Sequence, residues 1–149
     1  MTSRERIVFI DDEPFFARSY VEKLEQDYNV IYNDNVEDGL QSVRNQNDLR
    51  LLILDIMMPS PASVPGEDTE QGLGTGLWIL RQILPRVQNR NRPLPVCILT
   101  NRRPNIVVEA VTKLGIGEEL VVVRHKSDTP AFYLPRLVRQ LIDRHYPRE

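Results

Sequence analysis

Three acids, a threonine and a lysine lie at or just beyond the ends of short apolar runs in this sequence. They are Asp11, Asp12, Asp55, Thr100 and Lys126. In an open α/β sheet, ligands bind beyond the carboxyl ends of the strands, near the point where the strand order reverses. If the apolar runs are parallel strands, the sequence therefore predicts that three carboxylates, a hydroxyl and an ammonium share one crevice.

Phosphoryl transfer with a divalent cation is the chemistry that such a group favours. Crowded carboxylates repel one another, which raises their pKa values unless a cation compensates. A hard ion such as Mg²⁺ suits them, because it is held by one or two carboxylates, waters and phosphate oxygens. One carboxylate can then attack a phosphoryl group and become an aspartyl phosphate. The hydroxyl and the lysine are suited to the equatorial oxygens. Asp11 and Asp12 alone more often mark a helix N-terminus, so the prediction depends on the whole set.

The segments that would position these residues alternate between strand and helix patterns. Strands are predicted at residues 6–10, 29–33, 51–54, 95–99 and 120–123. Three of these runs are continuously apolar, which is typical of a parallel sheet with helices on both faces. Strand–helix units in this order predict a doubly wound α/β fold with right-handed crossovers.

Apolar residues recur at helical spacing after each predicted strand, and capping residues indicate where the helices begin and end. Pro14 suits the first turn of the first helix, and Asn35 is a candidate N-cap of the second. Pro85 is expected to end or kink the third helix early. Gly115 stands in the position of a C-cap after the fourth.

Length and composition limit the class of protein. The chain has 149 residues, which predicts one domain. Its net charge of −2 gives no electrostatic reason to expect nucleic acid or a membrane surface as a partner. A single cysteine, Cys97, is expected to be a small core residue and cannot form an internal disulfide. No apolar stretch is long enough for a signal peptide or a bilayer span, so we expect a cytoplasmic protein.

Four pieces of the sequence, taken in order, resemble the receiver domain of two-component response regulators, the CheY-like fold. They are "VFIDDEP", "LLILDIMMP", "CILT" and the strand-end Lys126. The resemblance covers nearly the whole chain. It implies a five-stranded parallel sheet in the order 2-1-3-4-5, and one receiver domain over residues 1–149 with no output domain on the chain.

The resemblance also implies a role for each candidate residue. Asp55 would be the phosphoacceptor, and Asp12, Asp55 and the main-chain carbonyl of Met57 would bind Mg²⁺, with Asp11 acting through water. Thr100 would be the switch hydroxyl and Lys126 the phosphate-pairing amine. The phosphoryl group would come from a histidine kinase or phosphotransfer protein, and signalling would be phosphorylation-dependent binding to another protein. Such a domain is not an enzyme, beyond self-phosphorylation from small donors and autodephosphorylation.

The sequence departs from the usual receiver pattern in three places. A long segment at about residues 60–75 separates Met58-Pro59 from Gly76. The stretch between Gly115 and Lys126 is several residues longer than usual, so that Val123 falls nearest the position of the usual fifth-strand aromatic. Ser127 stands where a proline normally follows the lysine. A loop as long as 60–75 is usually functional or disordered, but a tolerated surface insertion explains it equally well.

Two other functions remain open at the level of sequence. The first is a receiver-like interaction module that does not depend on phosphate, which the insertion and the altered fifth-strand region favour. The second and weaker one is a phosphatase similar to the haloacid dehalogenase superfamily, because "CILTN" resembles its second motif. That reading predicts Asp11 as the nucleophile, but Glu13 and Phe15 do not fit the rest of the first motif.

Overall fold

The protein forms an α/β structure, described by a computed structural model for residues 4–56 and 73–147. The strands are β1 (Arg6–Ile10), β2 (Asn29–Asn33), β3 (Leu49–Asp55), β4 (Val96–Thr100) and β5 (Val121–His125). The helices in these ranges are α1 (Pro14–Leu24), α2 (Val36–Asn45), α3 (Leu73–Gln82), α4 (Leu84–Val87), α5 (Pro104–Thr112) and α6 (Leu134–His145). Two 3-10 turns, Glu118–Leu120 and Lys126–Asp128, flank β5.

The strands form one parallel sheet in the order β2-β1-β3-β4-β5. This confirms the predicted doubly wound topology and strand order. The order reverses between β1 and β3, whose last paired residues are Ile10 and Leu54. The residues that directly follow this last pair, Asp11 and Asp55, therefore lie side by side at the switch point, where a ligand site is expected.

The central strands are apolar because both of their faces are buried. Side chains alternate between the two faces of a strand, and in β1 they divide between two cores. Ile7 and Phe9 pack in the core that includes α1 and α6, whereas Val8 and Ile10 pack in the core that includes α2, α3 and α5. Burying a side chain of this size stabilises the fold by about 1.5–3 kcal/mol relative to leaving it exposed. The predicted core cysteine, Cys97, is fully buried in β4.

The capping residues act largely as the sequence predicted. Pro14 opens α1, and the Asn35 side chain accepts a hydrogen bond from the Asp38 N–H at 2.9 Å. Pro85 lies at the start of the four-residue α4, just after α3 ends at Gln82. Gly115 has the positive φ of 85° expected at a helix end, but it follows α5 by a short turn rather than capping it directly.

The predicted boundaries of three strands need correction: β4 is shifted by one residue, from 95–99 to Val96–Thr100, β5 begins at Val121 rather than at 120, and β3 and β5 are longer than predicted. β3 begins at Leu49, before the apolar run 51–54, because Leu49 is buried although Arg50 interrupts the pattern. β5 extends to His125 rather than ending at 123, because an edge strand tolerates polar residues on its exposed side. Within the described ranges, no helix has the length and apolar character needed to cross a membrane.

Candidate functional site

Three carboxylates meet at the carboxyl edge of the sheet. Asp11 and Asp12 follow β1, and Asp55 ends the neighbouring β3. One oxygen from each of the three lies within 4.8 Å of the others. Asp11 is fully buried and Asp55 is 2% exposed, whereas Asp12 is half-buried. The fold therefore brings the predicted acids together in a largely desolvated cluster.

Lys126 reaches the same cluster from the end of β5. Its Nζ lies 3.3 Å from Asp55 Oδ2 and 3.7 Å from Asp11 Oδ2. The ammonium also lies 4.2 Å from the centre of the Phe16 ring, in a cation–π contact. The lysine that the sequence predicted for the site is thus buried in it and aimed at the predicted phosphoacceptor.

The electrostatics of the cluster favour an additional cation. Burial raises the pKa of the Asp11 carboxyl, and the Glu13 N–H and Lys126 offset that rise only in part. Burial likewise raises the pKa of Asp12. Lys126 brings one positive charge to three carboxylates. The protein alone therefore disfavours the charged forms of Asp11 and Asp12.

The oxygen atoms at this edge also fit a hard divalent ion such as Mg²⁺. Asp11 Oδ1 accepts the Glu13 N–H at 2.8 Å. Asp11 Oδ2 is buried, and among the described residues it accepts no hydrogen bond. Carboxylate oxygens are the ligands that Mg²⁺ prefers, so the donor set matches the ion. The predicted ligand Met57 lies outside the described residues, and its main-chain carbonyl remains a prediction.

Thr100 is fully buried at the end of β4. β4 lies beside β3 with Leu99 opposite Asp55, so Thr100 follows directly on the residue that pairs with the predicted phosphoacceptor. Its Oγ1 accepts the Arg102 N–H at 2.9 Å. The hydroxyl therefore stabilises the turn that follows β4. It does not cap α5, because the residue at the N-cap of that helix is Arg103.

Several supporting contacts were not predicted from the sequence. The Tyr32 hydroxyl donates to the Asp11 main-chain carbonyl at 2.6 Å, and burial raises the pKa of this phenol to about 12, so it stays a donor. Phe16, an apolar residue in the first turn of α1, has its ring against the Lys126 ammonium. His125 caps the turn that carries Lys126. The sequence signals are the positions of Phe16 shortly after the acids and of His125 beside the lysine.

Gly76 brings α3 close to the residue that follows Asp55. A Cβ at Gly76 would lie 2.5 Å from the carbonyl oxygen of Ile56, so this approach requires glycine. Trp78, on the same helix, packs partly buried against the core. The long segment at about 60–75 falls mostly outside the described residues, so its role stays a prediction.

The fold and the acidic cluster together define a doubly wound α/β protein with a candidate metal and phosphoryl site at its switch point. No protein-family model matches the sequence, and no curated protein matches it. Solved structures do match it closely in fold. A CheY-like response regulator receiver domain protein from Methanospirillum hungatei JF-1 has a TM-score of 0.70 at 18% identity, over 96% of this chain and 97% of that one.

Two further solved structures agree with that comparison. A response regulator receiver domain protein from Clostridium thermocellum has a TM-score of 0.66 at 23% identity, over 93% of this chain and 94% of that one. The receiver domain of DrrB from Thermotoga maritima, in a BeF3-activated form, has a TM-score of 0.64 at 19% identity. The match covers 95% of this chain and 99% of that one. The chain therefore has the fold of CheY-like response regulator receiver domains, as the sequence resemblance predicted.

Proposed function

We propose that this protein is a response regulator receiver that accepts a phosphoryl group on Asp55. The observation that carries the proposal is the contact at 3.3 Å between Lys126 Nζ and Asp55 Oδ2, inside a cluster of three acids of which Asp11 and Asp55 are buried. A structural ion pair would not need three carboxylates around one ammonium, because each extra buried charge raises the cost of desolvation. A bound divalent cation would offset that excess of negative charge and would also attract the oxygens of a phosphoryl group.

Asp55 is the proposed nucleophile. Its carboxylate oxygen attacks the phosphorus of a phosphohistidine on a histidine kinase or phosphotransfer protein. The P–N bond breaks, its electron pair stays on the histidine nitrogen, and an acyl phosphate forms on Asp55. Asp12, Asp55 and the Met57 carbonyl would hold Mg²⁺, with Asp11 bound through water. The ion supplies neutralisation of charge on the phosphoryl oxygens.

Thr100 and Lys126 are the proposed groups that respond to the new phosphate. A phosphorylated side chain carries a charge near −2 and three strong acceptor oxygens. The Lys126 ammonium is already within reach of Asp55, and the Thr100 hydroxyl, at the end of the neighbouring strand, would gain a charged acceptor. Drawing both groups toward the phosphate shifts an equilibrium between loop conformations that a second protein can read.

The proposed setting is the cytoplasm, where the kinase and the target would both be proteins. The near-neutral balance of charges, 19 basic and 21 acidic residues, supports neither nucleic acid nor a membrane surface as the direct partner. Residues 1–149 would act as one receiver domain, with an inserted segment at about 60–75 that follows Asp55 a few residues later in the sequence. The chain would turn over no substrate of its own.

Intact-mass spectrometry after incubation with Mg²⁺ and acetyl phosphate tests this function. We expect one added phosphoryl group on the wild type and none on Asp55→Asn. Asp11→Asn tests the phosphatase alternative, and Asp48→Asn is a matched control at an exposed carboxylate. Asp48→Asn should be modified like the wild type.

Three results would contradict the proposal. Modification of Asp55→Asn at the wild-type level would place the phosphate elsewhere. Catalytic consumption of acetyl phosphate that depends on Asp11 would indicate the phosphatase. A wild type that neither gains mass nor binds BeF3 would indicate a module that works without phosphate.

A further inference from the structure

The imidazole of His125 joins the two loops that carry Thr100 and Lys126. Its Nε2 lies 3.1 Å from the carbonyl oxygen of Asn101, the residue that follows Thr100. Its Nδ1 lies 3.1 Å from the main-chain nitrogen of Ser127, the residue that follows Lys126. One half-buried ring thus contacts the chain directly after both proposed switch residues.

The hydrogen-bond partners of the ring determine which of its two nitrogens carries the hydrogen. A main-chain N–H can only donate, so Nδ1 must accept from Ser127, and a carbonyl oxygen can only accept, so Nε2 must carry hydrogen. The Ser127 hydroxyl, 2.7 Å from Nδ1, can donate to the same nitrogen. The contacts are satisfied together by a neutral imidazole with its hydrogen on Nε2.

The turn that holds Lys126 depends on this cap. His125 is the N-cap of the 3-10 turn Lys126–Asp128. Thr129 closes the other end, because its Oγ1 donates to the His125 carbonyl at 2.9 Å and its N–H donates to the Lys126 carbonyl at 3.2 Å. The Tyr20 hydroxyl in turn donates to the Thr129 carbonyl. The chain thereby orients its lysine with Ser127, rather than a proline, in the next position.

We infer that His125 is a positioning residue that couples the Thr100 loop to the Lys126 loop, so that the two proposed switch groups move toward a phosphorylated Asp55 together. The inference rests on the proposed function and adds a route of communication within the same site. The ring does not touch the acids. It acts through the Asn101 carbonyl on one side and the Ser127 N–H on the other.

Two substitutions separate the cap from the bridge between the loops. His125→Ala removes both contacts. His125→Asn keeps a side-chain oxygen that can accept the Ser127 N–H, as asparagine does at many N-caps, but its shorter amide does not extend to Asn101. His145, the other histidine in the chain, contacts the Glu119 carbonyl at 2.7 Å and no switch loop. His145→Asn is therefore the matched control.

The first measurement is the imidazole ¹⁵N–¹H correlation spectrum of the unphosphorylated protein, with His145→Asn used to assign the two rings. We expect the neutral Nε2–H tautomer for His125. This readout is independent of phosphorylation. A charged ring, an Nδ1–H tautomer or an equal mixture of tautomers would overturn the bridge.

The second measurement is the rate of phosphoryl uptake from acetyl phosphate with Mg²⁺. A hydrogen bond is typically worth up to a factor of about ten, so we expect His125→Ala to take up phosphate about tenfold more slowly. His125→Asn should be nearly as slow as His125→Ala, and His145→Asn should match the wild type. The thermal midpoints of His125→Asn and His145→Asn should agree, which separates positioning from loss of fold.

The outcomes distinguish this inference from the proposed function. Wild-type uptake on Asp55 with a wild-type rate in His125→Asn would overturn the bridge alone. If His125→Ala and His125→Asn took up phosphate slowly only in proportion to a lowered thermal midpoint, loss of folded protein would explain the rates. That result would also overturn the bridge. A wild type that takes up no phosphate would overturn the proposed function and the role of His125 within it.

Discussion

Charged side chains are paired at both edges of the sheet, but in different ways. At the amino edge, Arg139 donates to the two carboxylate oxygens of Glu5 at 2.6 and 2.9 Å and to Asp143 at 3.1 Å. At the carboxyl edge, Lys126 is shared between Asp55 and Asp11 at 3.3 and 3.7 Å. The Arg139 and Glu5 side chains are 26% and 28% exposed, whereas those of Lys126, Asp55 and Asp11 are 5%, 3% and 0% exposed.

The pKa shifts at the two edges have opposite meanings. Hydrogen bonding to Glu5 raises the pKa of Arg139, which means that the fold favours its charged form. Burial raises the pKa of Asp11, which means that the fold disfavours its charged form. The amino-edge pair is therefore complete in the protein alone, and the carboxyl-edge cluster is not. This difference favours the carboxyl edge as the place of the proposed ligand.

Removal of Lys126 should have the largest effect. Lys126→Met leaves Asp11 and Asp55 buried without their ammonium, which should lower the free energy of unfolding at neutral pH by about 3 kcal/mol. The folded-state pKa of Asp11 is already above the unfolded value, so the cost of ionising it disappears as the pH falls through that raised pKa. Urea unfolding at neutral pH and at about pH 5 should show a smaller loss at the lower pH.

Lys113→Met is the matched control for that experiment. Lys113 is exposed and lies 3.8 Å from Glu109 on α5. Its replacement should change stability by less than about 0.5 kcal/mol. Equal losses for the two lysines would show that burial does not distinguish the two kinds of pair.

Two glycines extend the comparison to the backbone. Gly76→Ala at the carboxyl edge should lower the free energy of unfolding by about 2 kcal/mol, because a Cβ there meets the Ile56 carbonyl oxygen at 2.5 Å. Gly115→Ala should cost about 1 kcal/mol through its φ of 85°, since no atom lies within 4 Å of the added Cβ. Urea unfolding of both variants measures the two costs. A larger loss at Gly115 would contradict the close approach of α3 to Ile56.

Asp12→Asn should stabilise the protein when no divalent ion is present. Burial raises the pKa of Asp12, so its charge opposes folding at neutral pH and that opposition fades as the pH falls through the raised value. Removal of the charge should increase the free energy of unfolding by about 1 kcal/mol at neutral pH. Thermal unfolding in the presence of a chelator measures the gain, and a loss of stability would show that the charge is already compensated.

Apart from the exposed control Lys113→Met, Glu5→Gln should have the smallest effect. The pair that it breaks is partly exposed, so the free energy of unfolding should fall by about 0.5–1 kcal/mol. The loss should be constant from mildly acidic to mildly alkaline pH, because Arg139 stays charged throughout that range. A strong dependence on pH or on Mg²⁺ would show that the two edges are not independent.

Most of the fold could be predicted from the sequence because the patterns that indicate strands, helices and caps are local. Continuous apolar runs, Pro14, Asn35 and Pro85 each act within a few residues of their own position. The errors fall where tertiary context overrides the local pattern. Arg50 interrupts the apolar pattern of β3 without ending the strand, and the polar end of β5 is tolerated because β5 is an edge strand.

The candidate site was predictable by residue type but not by geometry. Strand ends indicated which acids would meet, since parallel strands deliver their carboxyl ends to one edge. The contact of Lys126 with Asp55 spans 71 residues of sequence, and no local pattern gives its distance. The ring of Phe16 under the ammonium and the two contacts of His125 likewise depend on loops brought together only by the fold.

The central claim is that the acids at the carboxyl edge bind a cation. Its most direct test is the Mg²⁺ dependence of the unfolding temperature at constant ionic strength. A ligand that binds only the folded state raises its stability with concentration. The wild type and Glu5→Gln should therefore gain a few degrees in millimolar Mg²⁺, while Asp12→Asn stays flat. An unchanged wild-type midpoint, or an equal rise in Asp12→Asn, would contradict the account.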